Sequence, residues 1–362
     1  MKKILKSIMK ILLVLIIILL IGAGVIFCLR LYNDHKYGKA ESLTDVDVTD
    51  ISQYPTELEG IDVKYVDNGA FQGFHLKPQN KLYRGVVVFY GGSDGSPFFD
   101  VARSYAEKGY ETLSVYMFGM KNQPKSLTKV PLEQFNDVLD YINNNIQDND
   151  PITVMGVSKG AEYVLNLAAK YDEISNVIVM APVAYTFSGL SSSSVSSASS
   201  WTWENNEIPY IDIQKSPFTA LLKDMILPTI TGAPLNFRDL YDAALAADED
   251  RDAKLIPAKD IKGDVLIIYG EEDGMMDTGK MADLIRSQNE NARICSYKNA
   301  GHMFSGDGII TEYGMRMRLG GTVEGNEKAM IECTKEIDDF LKEHHGGDGE
   351  PSPVSLGNSF EI

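Results

Sequence analysis

Through most of the chain, short uninterrupted apolar runs alternate with segments whose apolar residues recur every three or four positions. The runs include "GVVVFY" (85–90), "TLSVYM" (112–117), "ITVMGV" (152–157), "NVIVMA" (176–181), "DVLIIYG" (264–270) and "ARICSY" (292–297). Apolar toward both sides, they predict strands of a covered sheet. Between them fall "FFDVARSYAEKG" (98–109), "LEQFNDVLDYINNN" (132–145), "AEYVLNLAAKY" (161–171), "GKMADLIRS" (279–287) and "EKAMIECTKEIDDFLKEH" (327–344). Each predicts a helix; in the second, Phe135, Val138, Leu139 and Ile142 share one face. Strands alternating singly with helices predict the α/β class, a mostly parallel sheet with helices on both faces. Two short strands, "IDVKYV" and "FQGFHL", precede this body.

The rhythm breaks in three places. The first thirty residues are basic, "MKKILKSIMK", and then apolar, with 19 uncharged residues from Ile11 to Leu29. As a helix that stretch reaches about 28 Å, close to the hydrocarbon thickness of a bilayer. Two readings compete: a signal anchor, favoured by the length, and a cleaved signal peptide with Gly22-Ala23-Gly24 as its small-residue site, which would give a secreted protein. Lys2, Lys3, Lys6 and Lys10 before the span, against Arg30, Lys36 and Lys39 after it, point to a cytoplasmic N-terminus and an extracytoplasmic domain. Residues 31–57 are polar and read as a stalk. Residues 187–260 open on "SGLSSSSVSSASS", which reads as a flexible loop. Their place, between two predicted strands of the body, suits a lid over the sheet's carboxyl edge. Residues 346–362 read as a flexible tail, which leaves 58–345 as the catalytic domain.

Composition narrows the partners. The net charge of −17 repels phosphate backbones, so no nucleic acid is expected. Cys28, Cys295 and Cys333 form no CxxC pair and no metal spacing with histidine, so no metal is expected. Free buried thiols suit Cys295 and Cys333 better than a bridge between them.

The candidate chemistry starts at "GVSKG" (156–160). A Gly-x-Ser-x-Gly arises by chance in about one chain in ten of this length, so its context decides. Here a buried strand runs into Ser158 and a helix leaves it, which is the arrangement of a nucleophile elbow. Side chains at 156 or 160 would collide with the neighbouring strand and helix. The N–H of Lys159, at the helix start, is the expected first oxyanion donor, and Gly92 in "FYGGSDG" the second. Tyr90 could add a phenol, although a packing role suits it as well. Glycines after a strand also cradle phosphate, yet neither a Walker pattern nor GxGxxG is present, so no cofactor is expected. The base should be a histidine, whose pKa lies near neutrality. His35 sits beside the span, His75 within an early strand, and His344 and His345 at the end of the last helix. His302, in "YKNAGHMF", is the one that follows a strand downstream of Ser158. The acid should follow the preceding strand; in "DVLIIYGEEDGMMD" Asp273 has cleared the sheet, with Asp277 in reserve. The order Ser158, Asp273, His302 is the one a nucleophile elbow takes in such a sheet.

"FYGGSDG", "GVSKGAEYVLNLA", "AGHMF" and "RLGGTVEGNEKAMIECTKEIDDFL" resemble the C-terminal catalytic domain shared by acyl-CoA thioesterases and bile acid-CoA:amino acid N-acyltransferases, over about residues 60–343. The resemblance implies an α/β-hydrolase fold, with Ser158 as nucleophile, Asp273 as acid and His302 as base. The acyltransferase branch uses cysteine at the nucleophile position, so serine here resembles the hydrolytic branch. Longer members carry an extra N-terminal domain, where this sequence has a stalk and two strands. The expectation is therefore a membrane-anchored serine hydrolase of a small-molecule acyl ester or thioester, acyl-CoA thioesterase-like. Carboxylesterase, peptidase-like and acyltransferase activities stay open beside it. Arg316 and Arg318 could hold an anionic substrate group or stand solvated. From a different class, a membrane-anchored binding protein without turnover would not need the three residues together.

Overall fold

The computed structural model describes residues 2–40, 47–191, 194–312 and 314–346. Among them, nine strands form one sheet: β1 (Glu57–Leu58), β2 (Ile61–Asn68), β3 (Phe71–Pro78), β4 (Val86–Tyr90), β5 (Thr112–Val115), β6 (Ile152–Val157), β7 (Ile174–Met180), β8 (Asp264–Gly270) and β9 (Arg293–Tyr297). Their order is β1-β2-β3-β5-β4-β6-β7-β8-β9. From β5 to β9 every pairing is parallel. The two early strands do not stand apart; β2 and β3 extend the sheet antiparallel beyond β5.

Strand residues alternate between two cores. Val86, Val88 and Tyr90 face one, Val87 and Phe89 the other. The first is covered by α3 (Gln134–Asn145), α4 (Lys159–Ala168) and α5 (Thr278–Gln288); the second by α2 (Phe99–Glu107) and α6 (Val323–His345). Burial on both sides is what makes these strands continuously apolar.

Residues 187–260 differ from expectation at their start. The serine run is built into structure: Ser188–Ser191 pairs with Ser194–Ser199, and Trp201–Trp203 pairs with Asn206–Glu207 and Val130–Pro131. Residues 192 and 193 lie outside the described residues. Ser188, Ser199 and Ser200 are buried, and the Ser200 hydroxyl donates to the Phe187 carbonyl at 3.0 Å. Small side chains that satisfy one another locally let the hairpin pack closely, so a run that reads as loop is ordered. Three short helical pieces over 218–231 and a helix at Phe237–Ala247 follow the hairpin.

The stalk also differs. One helix, α1 (Lys2–Tyr37), runs through the apolar stretch and on into the polar part. Among the described residues it alone is long and apolar enough to cross a membrane. Its last turns are docked: the Asn33 amide donates to the Thr231 carbonyl at 3.0 Å, and Asp34 pairs with Arg316 at 2.7 Å. Further along, Tyr54 packs on Phe74 and Phe99. Residues 41–46 of the stalk, and the expected tail from 347 onward, lie outside the described residues.

At the far end, His345 is fully buried. Its Nδ1–H donates to the Arg84 carbonyl (2.7 Å), and Nε2 accepts from the Thr153 hydroxyl (2.8 Å). Burial pushes its pKa from 6.5 down to about 4. The unfolded chain therefore takes a proton that the folded chain refuses. Stability present above pH 6.5 should be lost as pH falls to about 4, by about 3 kcal/mol. Denaturation midpoints across that window should show it, and the dependence should flatten in His345→Gln.

Candidate active site

β4 and β6 lie side by side with Tyr90 opposite Gly156, so the turns that follow them meet at the sheet's carboxyl edge. Ser158 occupies φ 54°, ψ −115°, a backbone conformation a serine adopts only under strain. Two glycines make the turn fit. A Cβ on Gly156 would stand 2.2 Å from the Gly160 carbonyl oxygen, and one on Gly160 would stand 2.1 Å from the Gly91 carbonyl oxygen. Strand, helix and neighbouring turn thus touch main chain to main chain. Gly92 sits beside the serine: a Cβ built on it would be 3.9 Å from the Ser158 Cβ. The N-terminus of α4 begins at Lys159.

His302 lies in the loop after β9 and Asp273 in the turn after β8. His302 Nε2 stands 2.9 Å from the Ser158 Oγ, and His302 Nδ1 stands 2.7 Å from the Asp273 Oδ2. A carboxylate only accepts, so Nδ1 carries the proton and Nε2 is free to accept from the serine hydroxyl. The other carboxylate oxygen, Oδ1, accepts from the Met275 and Met276 N–H groups at 2.7 and 3.0 Å. Asp273 and His302 are buried, and Ser158 is half-buried. This line of contacts has the spacing that general-base activation of a serine requires.

Other expected residues fall elsewhere. Asp277 caps α5 through the Lys280 N–H and pairs with Arg238 (3.0 Å), so it takes no part beside His302. Tyr90 turns into the core, edge-on to Tyr163 at 5.0 Å, and packs rather than facing a substrate. Arg316 is neither solvated nor directed to a ligand. It is buried and bound to Asp34 and to the Gly232 and Gly38 carbonyls. Arg318 is exposed and lies against Gly274. Cys28, Cys295 and Cys333 are free thiols; burial holds the latter two at about 11 and about 12.

Three positioning groups are not apparent in the sequence. Arg238, from the 187–260 insertion, donates to the Asp273 carbonyl at 3.0 Å. The side chain of Lys159 reaches Glu162 and Ser200, both at 2.8 Å. Buried Asn326, on α6, accepts from the Gly301 N–H at 2.8 Å and donates to the Ser305 and Gly306 carbonyls, which holds the His302 loop. Loosening that loop should misplace the imidazole. Asn326→Ala should lower kcat roughly 10- to 100-fold with KM little changed, read by steady-state kinetics on a variant whose circular dichroism is native.

The sheet, the elbow turn and the flanking helices define an α/β-hydrolase. A solved acylaminoacyl peptidase from Pyrococcus horikoshii shares that fold with a TM-score of 0.50 at 14% identity, over 82% of this chain and 44% of its own. Residues 130–347 match the family model described as BAAT / Acyl-CoA thioester hydrolase C terminal, and the chain belongs to that family. Two mouse relatives are a bile acid-CoA:amino acid N-acyltransferase, 23% identical over 284 residues (74% of this chain), and a peroxisomal succinyl-coenzyme A thioesterase, 24% identical over 287 residues (75% of this chain). In both cases the match spans 62% of the relative's length.

Proposed function

We propose that the protein is a membrane-anchored serine hydrolase that cleaves an acyl ester or thioester through an acyl-enzyme on Ser158. The unbroken line Ser158–His302–Asp273 carries this reading. The Ser158 Oγ attacks the acyl carbonyl while His302 Nε2 takes its proton. Asp273 holds the tautomer and stabilises the imidazolium. The N–H groups of Lys159 and Gly92 receive the oxyanion. His302 then returns the proton to the leaving alcohol or thiol, and water, activated by the same imidazole, releases the acid. The relatives named for acyl-CoA chemistry favour a thioester; an amine in place of water would make the reaction acyl transfer. In this reading residues 1–30 anchor the chain and 58–345 form the catalytic unit, with 187–260 as its lid. The domain then lies outside the cytoplasm, which protease accessibility in intact cells would report.

A fluorophosphonate should add its phosphonyl group to the Ser158 Oγ in the full chain, detected by peptide mass. Folded protein that never reacts would overturn the assignment. A panel of acyl-CoAs and p-nitrophenyl esters then separates thioester from ester preference.

A further inference from the structure

We propose that the apolar flank of the 218–231 segment rests in the headgroup region of the bilayer crossed by α1, so that the substrate is an acyl amphiphile drawn from that bilayer. This rests on the anchor reading above. Outside α1, the large hydrophobic side chains left exposed among the described residues are Ile51, Phe218, Ile226, Leu227, Ile230, Val323 and Ile331. Four of these seven belong to this one segment, and Phe218 is 69% exposed. A folded body rarely gathers such residues on one element without a partner.

The position of α1 says which partner. Its apolar stretch ends at Leu29, and Asn33, four residues on, is bonded to Thr231 at the segment's end. Four residues of helix rise about 6 Å. The same turn places Arg30 against Gly232, where a Cβ would meet the Arg30 Cγ at 3.5 Å, and ties Asp34 to Arg316. If α1 spans, Thr231 is therefore held within the polar headgroup layer, roughly 5–8 Å thick on each face of the hydrocarbon. Leu227 and Ile230 lie in the turn just before it. The net charge of −17 disfavours anionic lipid, so the fitting surface is zwitterionic. The path from this contact to the site is short: Asn236 N–H donates to the Asp224 carbonyl, and Arg238 grips the main chain of Asp273 and Gly274.

The test uses the full chain, with Cys28→Ser, in phosphatidylcholine vesicles. Nitroxide labels are placed at Ile230→Cys, at Leu19→Cys within the span and at Lys328→Cys on the exposed face of α6. Oxygen, which favours the bilayer, should relax the labels at 230 and 19 more than a water-soluble nickel chelate does, and the reverse should hold at 328. A label at 230 that reads aqueous while 19 reads bilayer overturns this proposal and leaves the anchor standing. A label at 19 that reads aqueous overturns both. For substrate entry, Phe218→Ser/Leu227→Ser/Ile230→Ser should lower the ratio of turnover on a vesicle-borne long-chain ester to turnover on a soluble short-chain ester about tenfold. An unchanged ratio overturns entry from the bilayer.

Discussion

Ser158→Ala is expected to lower turnover by roughly 10⁴- to 10⁶-fold, equivalent to about 5–8 kcal/mol of barrier. The variant should stay folded. Alanine removes one hydroxyl from a half-buried position, and it keeps the φ and ψ that the two glycines and α4 impose. What disappears is the atom 2.9 Å from His302 Nε2. Asp273→Asn provides the sharper control. Both carboxylate oxygens of Asp273 are used, one by His302 and one by two main-chain N–H groups. An amide can satisfy only one of these sides as an acceptor. It would leave Nδ1 of His302 facing a donor or would lose the turn, and the wrong tautomer alone should cost about 10⁴-fold. Initial rates on the best acyl ester or thioester, with fluorophosphonate labelling in parallel, measure both. A Ser158→Ala protein with full turnover would overturn the proposed mechanism.

The second large effect concerns stability. Lys159 and Glu162 form a buried ion pair at 2.8 Å in the first turn of α4. Glu162 also accepts from the Phe187 N–H (3.0 Å) and the Trp201 indole (2.8 Å), and Lys159 from its side reaches the Ser188 carbonyl and the Ser200 hydroxyl. The pair thus fastens the start of the insertion to the elbow. Burial pushes the Glu162 carboxyl upward, while Lys159 pulls it down. Lys159→Met removes the ammonium and leaves a carboxyl without its counter-charge, which should cost about 3–5 kcal/mol. The carboxyl then sits still higher than in the unfolded chain. Its proton is bound more tightly when folded, so the variant should lose further stability as pH rises above the ordinary carboxylate range. Denaturation at pH 5 and pH 8 reads both effects. Lys159→Met/Glu162→Leu should recover only part of the loss: the unpaired charge is gone, but the buried Phe187 N–H and Trp201 indole N–H lose their acceptor.

The sheet was legible in the chain because its central strands, β4 to β8, are buried on both faces and carry mostly apolar residues. Ser158, Asp273 and His302 were legible for a related reason: each follows a recognisable strand, and strand order fixes which turns share an edge. The residues that hold them were not. Asn326 looks like one polar residue near a helix start, and Arg238 like surface charge on a lid helix. Their partners are main-chain groups of turns distant in sequence. Lys159 and Glu162 stand out only as the two charges of α4, three apart; nothing in the sequence shows that Ser200, Phe187 and Trp201 close around them. Arg316 and the serine run depart from expectation because polarity alone does not fix exposure. Partners supplied by α1 and by the hairpin itself allow both to be buried.

Arg316 also bears on how the chain is assembled during synthesis. Its guanidinium closes on Asp34, 282 positions earlier, and on Gly232, 84 positions earlier. The end of α1, the insertion and the strand Met315–Arg318 therefore cannot be fastened together until residue 316 has left the ribosome. At about 5–20 residues per second, that wait is on the order of tens of seconds. The parallel strands from β4 to β7 can pair earlier, and the clasp at Arg316 belongs to the last stage of folding.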